Sequence, residues 1–79
     1  MYLEKYKGEI KLEIKEILKE ERKKHGYTQQ KIADYLNLAR GSYAKYETGA
    51  NFPTTENILK LAELYKVSTD YLLGRYKKQ

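Results

Sequence analysis

A chain of 79 residues suffices for one domain, and a composition that is 41% hydrophobic and 34% charged is typical of a globular protein. The sequence contains no apolar run near the roughly 20 residues that span a bilayer, and its charged N-terminus lacks the apolar stretch of a signal peptide. Without cysteine there are no disulfides or thiolate metal sites, so a cytoplasmic setting with no membrane partner is the simplest interpretation. The net charge of +5 suits a polyanionic partner, although many small domains carry a similar excess.

The first predicted helix covers about residues 9–25. Its apolar side chains recur at helical spacing on one face, at Ile10, Ile14, Ile17 and Leu18. Glu20 and Lys24 are spaced to pair one turn apart on the opposite face. Gly26 is placed to end the helix in a left-handed conformation.

Residues 1–13 form an N-terminal extension for which the pattern supports two structures. Apolar residues at steps of three and four favour a longer first helix, whereas the alternation at positions 10, 12 and 14 favours a strand. The apolar face of this extension is either additional core or a surface for a partner, and the sequence supports both equally.

Residues 28–47 have the pattern of two short helices joined by a tight turn. Thr28 is a good N-cap for the first of them, because its hydroxyl can accept a bond from a free backbone N–H. Asn37 lies at the turn, where it tolerates a positive φ better than most residues. The next helix runs from about Arg40 to Glu47. The side chains expected to face inward are Ile32, Ala33, Leu36, Tyr43 and Tyr46.

Two further helices complete the prediction. The fourth begins after Thr54, a plausible N-cap, and carries the apolar stripe Ile58, Leu61, Ala62 and Tyr65. Ser68 caps a short fifth helix, Asp70 complements its dipole and Gly74 ends it. The predicted fold class is therefore a compact all-α, five-helix domain over residues 14–74, followed by a short basic tail at 75–79.

Five motifs in this order support a more specific interpretation: "TQQKIADYL", "YAKYETG", the single proline at Pro53, "ILKLAELYKVS" and "DYLLG". Together they resemble the Cro and phage-repressor type of helix-turn-helix domain, the XRE family, from about Ile17 to Gly74. The resemblance implies a repressor-like fold whose third helix reads the major groove. It also implies a sequence-specific transcriptional regulator, a repressor in kind, that binds a double-stranded DNA operator. Because one domain contacts few base pairs, we expect a homodimer on DNA, formed through either the fourth and fifth helices or the N-terminal arm.

The resemblance implies roles for individual positions. Gln29 would contact a DNA phosphate and orient the third helix, and Gln30 joins it in the DNA-binding set. Arg40 is the best candidate for reading sequence, because its fork can bind guanine O6 and N7. The loop near Asn51 would meet the DNA backbone through main-chain N–H groups and its amide. The positions expected to face base edges or phosphates are Arg40, Gly41, Ser42, Ala44 and Lys45, and Arg22 and Glu47 match a structural ion pair.

The chain departs from the family at three positions. Ala39 stands where the family has a Ser or Thr cap, so the third helix starts less firmly. Gly41 and Ala44 remove potential base contacts, and Gly41 costs about 1 kcal/mol of helix stability relative to Ala. Direct readout therefore falls to Arg40 and Lys45, with DNA shape contributing.

Alternatives remain beside this interpretation. Tyr43 and Tyr46 could stack on DNA, although their positions favour the core, and Arg22 could bind phosphate instead of Glu47. His25 has no partner for metal binding, and no catalytic motif or cofactor site is recognisable, so neither an enzyme nor a cofactor is expected. Two rival functions are an antitoxin that also binds a toxin protein, and a protein-interaction module that has kept the fold with weak DNA binding.

Overall fold

The computed structural model describes residues 14–74, and all of its regular structure in that range is helical. Helix α1 covers residues 14–24. It is followed by α2 (Gln29–Leu36), α3 (Arg40–Thr48), α4 (Thr55–Tyr65) and the single turn α5 (Thr69–Leu72). The all-α, five-helix prediction is therefore confirmed. No helix among the described residues is long and apolar enough to cross a membrane.

The helices begin where side-chain oxygens are available. Thr28, Thr54 and Ser68 each accept a bond from the backbone N–H three residues further on, at 3.0–3.1 Å. Helix α3 begins at Ala39 without a side-chain cap, as the sequence predicts. Because these caps are local, the starts of α2, α4 and α5 were predictable from the sequence.

The helix ends use left-handed residues. Asn37 ends α2 at φ 63°, and its N–H bonds to the carbonyls of Ala33 and Asp34. Gly26 lies at φ 75° after α1, as expected from its position. Lys66 ends α4 at φ 58°, which the sequence did not predict because lysine has no preference for this conformation.

The core lies where the apolar faces of the helices meet. Tyr43 is fully buried and Tyr46 is 6% exposed, so the core alternative for both tyrosines is confirmed. The Tyr46 hydroxyl accepts a bond from Asn57 Nδ2 at 3.0 Å, which joins α3 to α4. The other side chains of this cluster are Ile14, Leu18, Ile32, Ala33, Leu36, Leu61, Ala62, Tyr65 and Leu72. Packing of α2 against α3 fixes the unit on which the candidate site is built.

The structure corrects three details. Lys24 pairs with Glu21, with Nζ 3.3 Å from Oε2, and not with Glu20, because Glu21 faces α5 and Glu20 points to solvent. The helix of α1 ends at Lys24 rather than His25, and α3 continues to Thr48. The choice between helix and strand for the extension, and the basic tail, lie outside the described residues.

Candidate nucleic-acid interface

Helix α3 has one buried and one exposed side. Tyr43, Tyr46 and Glu47 are buried against the rest of the domain. The positions that the resemblance assigns to DNA lie on the other side, where Arg40, Gly41, Ser42 and Lys45 are exposed and Ala44 is half-buried. The structure thus brings the predicted set onto one outer face of α3.

Buried Glu47 anchors the inner side of α3. The Glu47 residue is 4% exposed, and its carboxylate accepts hydrogen bonds from side chains of α1, α2 and α3. Arg22 donates from Nε to Oε2 at 2.7 Å and from Nη2 to Oε1 at 3.1 Å. Gln29 Nε2 donates to Oε1 at 3.0 Å, and the Tyr43 hydroxyl donates to Oε2 at 2.5 Å. The Arg22–Glu47 pair implied by the resemblance is present, in bidentate geometry.

The electrostatics of this cluster follow from its burial. Burial alone would raise the pKa of Glu47, but the hydrogen bonds from Arg22, Tyr43 and Gln29 outweigh it and hold the pKa below its ordinary value. The hydrogen bond to Glu47 raises the pKa of Arg22, against the opposing effect of burial. Burial, with the bond to Glu47, raises the pKa of Tyr43. Glu47 is therefore ionised and Tyr43 neutral at physiological pH.

A chain of contacts runs from this buried carboxylate to the surface. Gln29 uses its amide N–H on Glu47, and its amide oxygen accepts from Arg40 Nη1 at 3.0 Å. Gln29 is half-buried whereas Arg40 is exposed. Gln29 thus bonds to residues near both ends of α3, which is consistent with its predicted role in orienting that helix, while its phosphate contact stays a prediction.

The other predicted contact residues are less tightly held. Gln30 Nε2 donates to Asp34 Oδ1 at 2.8 Å on the exposed face of α2. Asn51 is exposed in the loop after α3, but its backbone N–H donates to the carbonyl of Lys45 at 3.1 Å. The N–H of Asn51 is therefore already used to close the end of α3, and the contact of this loop with the DNA backbone through other main-chain N–H groups stays a prediction. The side-chain amide of Asn51 has no partner among residues 14–74.

The structure adds contacts that the sequence interpretation did not include. The Tyr43–Glu47 bond follows from their spacing of four residues on one helix, so this signal was present. Arg22 Nη1 also donates to the carbonyl of Tyr27 at 3.0 Å, which ties the turn after α1 to the ion pair. Nothing local in the sequence indicates that second bond.

The sequence predicts no metal-binding role for His25. Within the described range there is no group of three or more His, Cys, Asp or Glu residues that could hold a metal ion. The His25 ring lies 5.9 Å from Tyr27 and 5.0 Å from Tyr65, and its Nδ1 is 2.9 Å from the carbonyl of Glu21. It belongs to an aromatic cluster with Tyr27 and Tyr65.

Comparison with known proteins agrees with this geometry. A family model described as helix-turn-helix matches residues 18–72. The chain is 50% identical over 58 residues to the HTH-type transcriptional regulator ImmR of Bacillus subtilis (strain 168), covering 73% of this chain and 46% of the relative. It is 42% identical over 65 residues to the cryptic phage CTXphi transcriptional repressor RstR of Vibrio cholerae serotype O1. The match covers 82% of this chain and 58% of RstR.

A third relative is the HTH-type transcriptional regulator AnsR of Bacillus subtilis (strain 168), 42% identical over 62 residues, which are 78% of this chain and 53% of AnsR. The chain spans about half the length of the curated relatives it matches. The matched segment contains the whole of α2, α3 and α4, and with them the Arg22–Glu47 pair. This chain belongs to the XRE-type helix-turn-helix family, that of the Cro and phage repressors.

Proposed function

We propose that this chain is a sequence-specific duplex-DNA-binding regulator, a repressor in kind, that reads the major groove with α3. The observation that carries the proposal is the contact chain from buried Glu47 through Gln29 to Arg40. Such a chain favours one position of the guanidinium on the exposed helix face before any ligand arrives, which reduces the entropy lost on binding. The repressor and regulator names of the relatives agree with it.

Arg40 has the chemistry to read a base. One N–H is used by Gln29, and the remaining donors of the fork can reach O6 and N7 of a guanine. Lys45, exposed on the same helix, supplies a base or phosphate contact, and Ser42 a phosphate contact. Because Gly41 and Ala44 add no polar group, we expect the sequence preference to concentrate on the base pair that faces Arg40.

Helix α2 supplies the phosphate contact. The N–H groups of Gln29 and Gln30 lie in its first turn, where an α-helix has no internal acceptor for them. The positive end of the helix dipole favours an anion at this position. A phosphate held there would place α3 in the groove and draw Arg40 to the base edges. The amide of Asn51, in the loop that follows α3, contributes a further backbone contact.

We propose a homodimer on DNA, because one domain contacts few base pairs and specificity rises with a second half-site. The surface that supports dimerisation is an apolar groove of about 380 Å³ at the junction of the 49–54 loop, α4 and α5. Phe52 and Leu59, which form part of its wall, are 55% and 56% exposed. The groove is lined by Phe52, Pro53, Thr55, Ile58, Leu59, Thr69 and Leu73.

The groove and its flanking side chains fit a two-fold contact. In such an interface the same patch serves both subunits, so exposed apolar side chains of one copy can enter the groove of the other. Duplex DNA with two half-sites then positions the copies about one helical turn, ~34 Å, apart. The same proposal places the regulator in the cytoplasm, with the DNA it binds.

The experiment is selection from a random duplex library, followed by sedimentation of the protein on the selected DNA. We expect a two-fold motif and two protein copies for each duplex. Leu59→Glu would reduce occupancy to one copy. Lys60→Glu also places a carboxylate on α4, outside the groove lining; although it removes the ammonium that pairs with Glu56 and changes the net charge more, it would preserve two copies. Failure to enrich any motif, with retention lost on a modest rise in salt, would contradict sequence-specific binding and favour a protein-interaction role.

A further inference from the structure

A second cleft lies at the C-terminal end of α1, where it meets the end of α4 and the start of α5. Its volume is about 400 Å³, and it contains no residue of α2 or α3. The residues that line it are Glu21, Lys24, His25, Tyr65, Val67, Ser68 and Tyr71. The candidate DNA interface uses none of them, so the cleft needs a separate explanation.

The cleft contains a buried carboxylate that is weakly satisfied. The Glu21 side chain is 4% exposed, yet its hydrogen bonds are long: 3.3 Å from Lys24 Nζ and 3.4 Å from the Tyr71 hydroxyl, both to Oε2. Among the described residues no donor lies within hydrogen-bond distance of Oε1, and His25 Nδ1 is 3.8 Å away. Because Oε1 accepts no hydrogen bond from residues 14–74, this carboxylate has unused capacity to bind a cation that enters the cleft.

The walls of the cleft suit a cation with an apolar stem. The rings of His25 and Tyr65 lie 5.0 Å apart, and Tyr71 adds a third ring beside the carboxylate. Aromatic faces attract cations and pack against methylene groups. Tyr65 is 3% exposed, and its hydroxyl has no hydrogen-bond partner within residues 14–74. The cleft therefore combines a carboxylate with aromatic surface.

The chain already shows which chemistry this carboxylate accepts. The primary ammonium of Lys24 approaches it from the rim, on a side chain that is 67% exposed. A tethered group that is so exposed is held loosely, since surface pairs of this kind are worth little. An external ammonium can therefore take its place without displacing any buried part of the protein.

We propose that this cleft binds an alkylammonium group, either of a free amine or of a lysine side chain on another protein. The head group pairs with Glu21, and the alkyl stem packs against His25, Tyr65 and Tyr71. Lys24 is the intramolecular competitor. The proposal concerns a face that does not include α3, so it holds or fails independently of DNA binding.

The test follows backbone amide shifts by NMR as n-butylammonium chloride is added at constant ionic strength. We expect saturable shifts around Glu21 and Tyr71, with a dissociation constant on the order of 1–10 mM. 1-Butanol, which has the same stem without the charge, should give no saturable shift there. N-acetyl-lysine methylamide is titrated in parallel. Binding equal to that of n-butylammonium favours a free amine as the ligand, and stronger binding favours a lysine side chain of another protein. Both results support the site.

Variants separate binding from general electrostatics. Lys24→Ala removes the competitor and should tighten n-butylammonium binding about two-fold, the change that corresponds to a surface pair. Glu21→Gln should abolish binding, and Tyr71→Phe, which keeps the ring, should leave it within a factor of about two because the 3.4 Å bond is weak. Glu16→Gln, an exposed position on the same helix, is the matched control and should bind as the wild type does. Circular dichroism checks that each variant is folded.

Two results would overturn the proposal. One is the absence of saturable shifts at the cleft with either amine in both the wild type and Lys24→Ala. The other is equal binding by folded Glu21→Gln and Glu16→Gln, which would mean that the response reports net charge rather than this carboxylate.

Discussion

Replacing Glu47 by Gln tests whether the buried carboxylate holds the first three helices together. The substitution keeps the volume but leaves the guanidinium of Arg22 without its counter-charge. It also places an amide N–H₂ among the donors of Arg22, Gln29 and Tyr43. Removing one partner of a buried pair costs about 3–5 kcal/mol. Because the Arg22 side chain is 13% exposed and keeps its bond to Tyr27, we expect the lower end, about 3 kcal/mol.

This loss is large for a chain of 79 residues, whose total stability is on the order of 4–12 kcal/mol. The assay is equilibrium urea denaturation at pH 7, with the midpoint and the slope fitted separately. Glu63→Gln, at an exposed position of α4, is the control and should change the free energy of unfolding by less than about 0.5 kcal/mol. A loss below about 1 kcal/mol for Glu47→Gln would refute the reasoning.

The dependence of the unfolding free energy on acidic pH supplies a second check on Glu47. Its folded-state pKa lies below the ordinary 4.5, so the carboxylate stabilises the fold fully above that value. This contribution is lost as the pH falls through the lowered folded-state pKa. The difference in unfolding free energy between wild type and Glu47→Gln should therefore narrow below about pH 4.

Four further changes affect α3, its C-terminal glycine and the buried tyrosines. Gly41→Ala should stabilise the protein by about 0.5–1 kcal/mol, since a Cβ there meets nothing within 4 Å. Gly49→Ala should destabilise it by about 1–2 kcal/mol, because φ is +88° and the Cβ would lie 3.1 Å from Lys15 Cδ. Ala39→Ser should add about 1 kcal/mol by supplying the missing cap, checked like the glycine pair by thermal melting. Burial raises the pKa values of Tyr43 and Tyr65 above 10.0, so their neutral forms stabilise the fold fully below pH 10. This stabilisation is lost as the pH rises through the raised folded-state values. Ultraviolet titration should show both tyrosines ionising only when the protein unfolds.

Local chemistry explains what was predictable from the sequence. Thr28, Thr54 and Ser68 were identified as caps because a side-chain oxygen three residues before a free N–H is a local arrangement. The inward positions of Tyr43 and Tyr46 followed from helical periodicity. These features involve residues that are close in the chain, so a single sequence contains them.

Long-range contacts explain what was missed. Glu20 and Glu21 both lie within a turn of Lys24, and only the packing of α5 decides that Glu21 is the buried partner. The left-handed Lys66 depends on how α4 meets the residues after it, since lysine itself does not favour that conformation.

In the candidate site, too, local features were predictable from the sequence and long-range contacts were not. The Arg22–Glu47 pair was implied by the family resemblance rather than by spacing, since the two residues are 25 positions apart. The bond from Arg40 to Gln29 joins α3 to α2 across the turn, and no pattern within either helix indicates it. The outer face of α3 was predictable as a set of positions, but the way Arg40 is held was not.

The most direct test of whether Arg40 reads a base is a double-mutant cycle between Arg40 and the base pairs of the selected site. Wild type and Arg40→Ala are each titrated against the operator and against duplexes with single substitutions, at fixed salt. We expect one G·C pair whose substitution costs the wild type about 1–3 kcal/mol of binding free energy and costs Arg40→Ala almost nothing. If Arg40→Ala instead weakens binding equally to every duplex, Arg40 contacts phosphate and α3 does not read sequence through it.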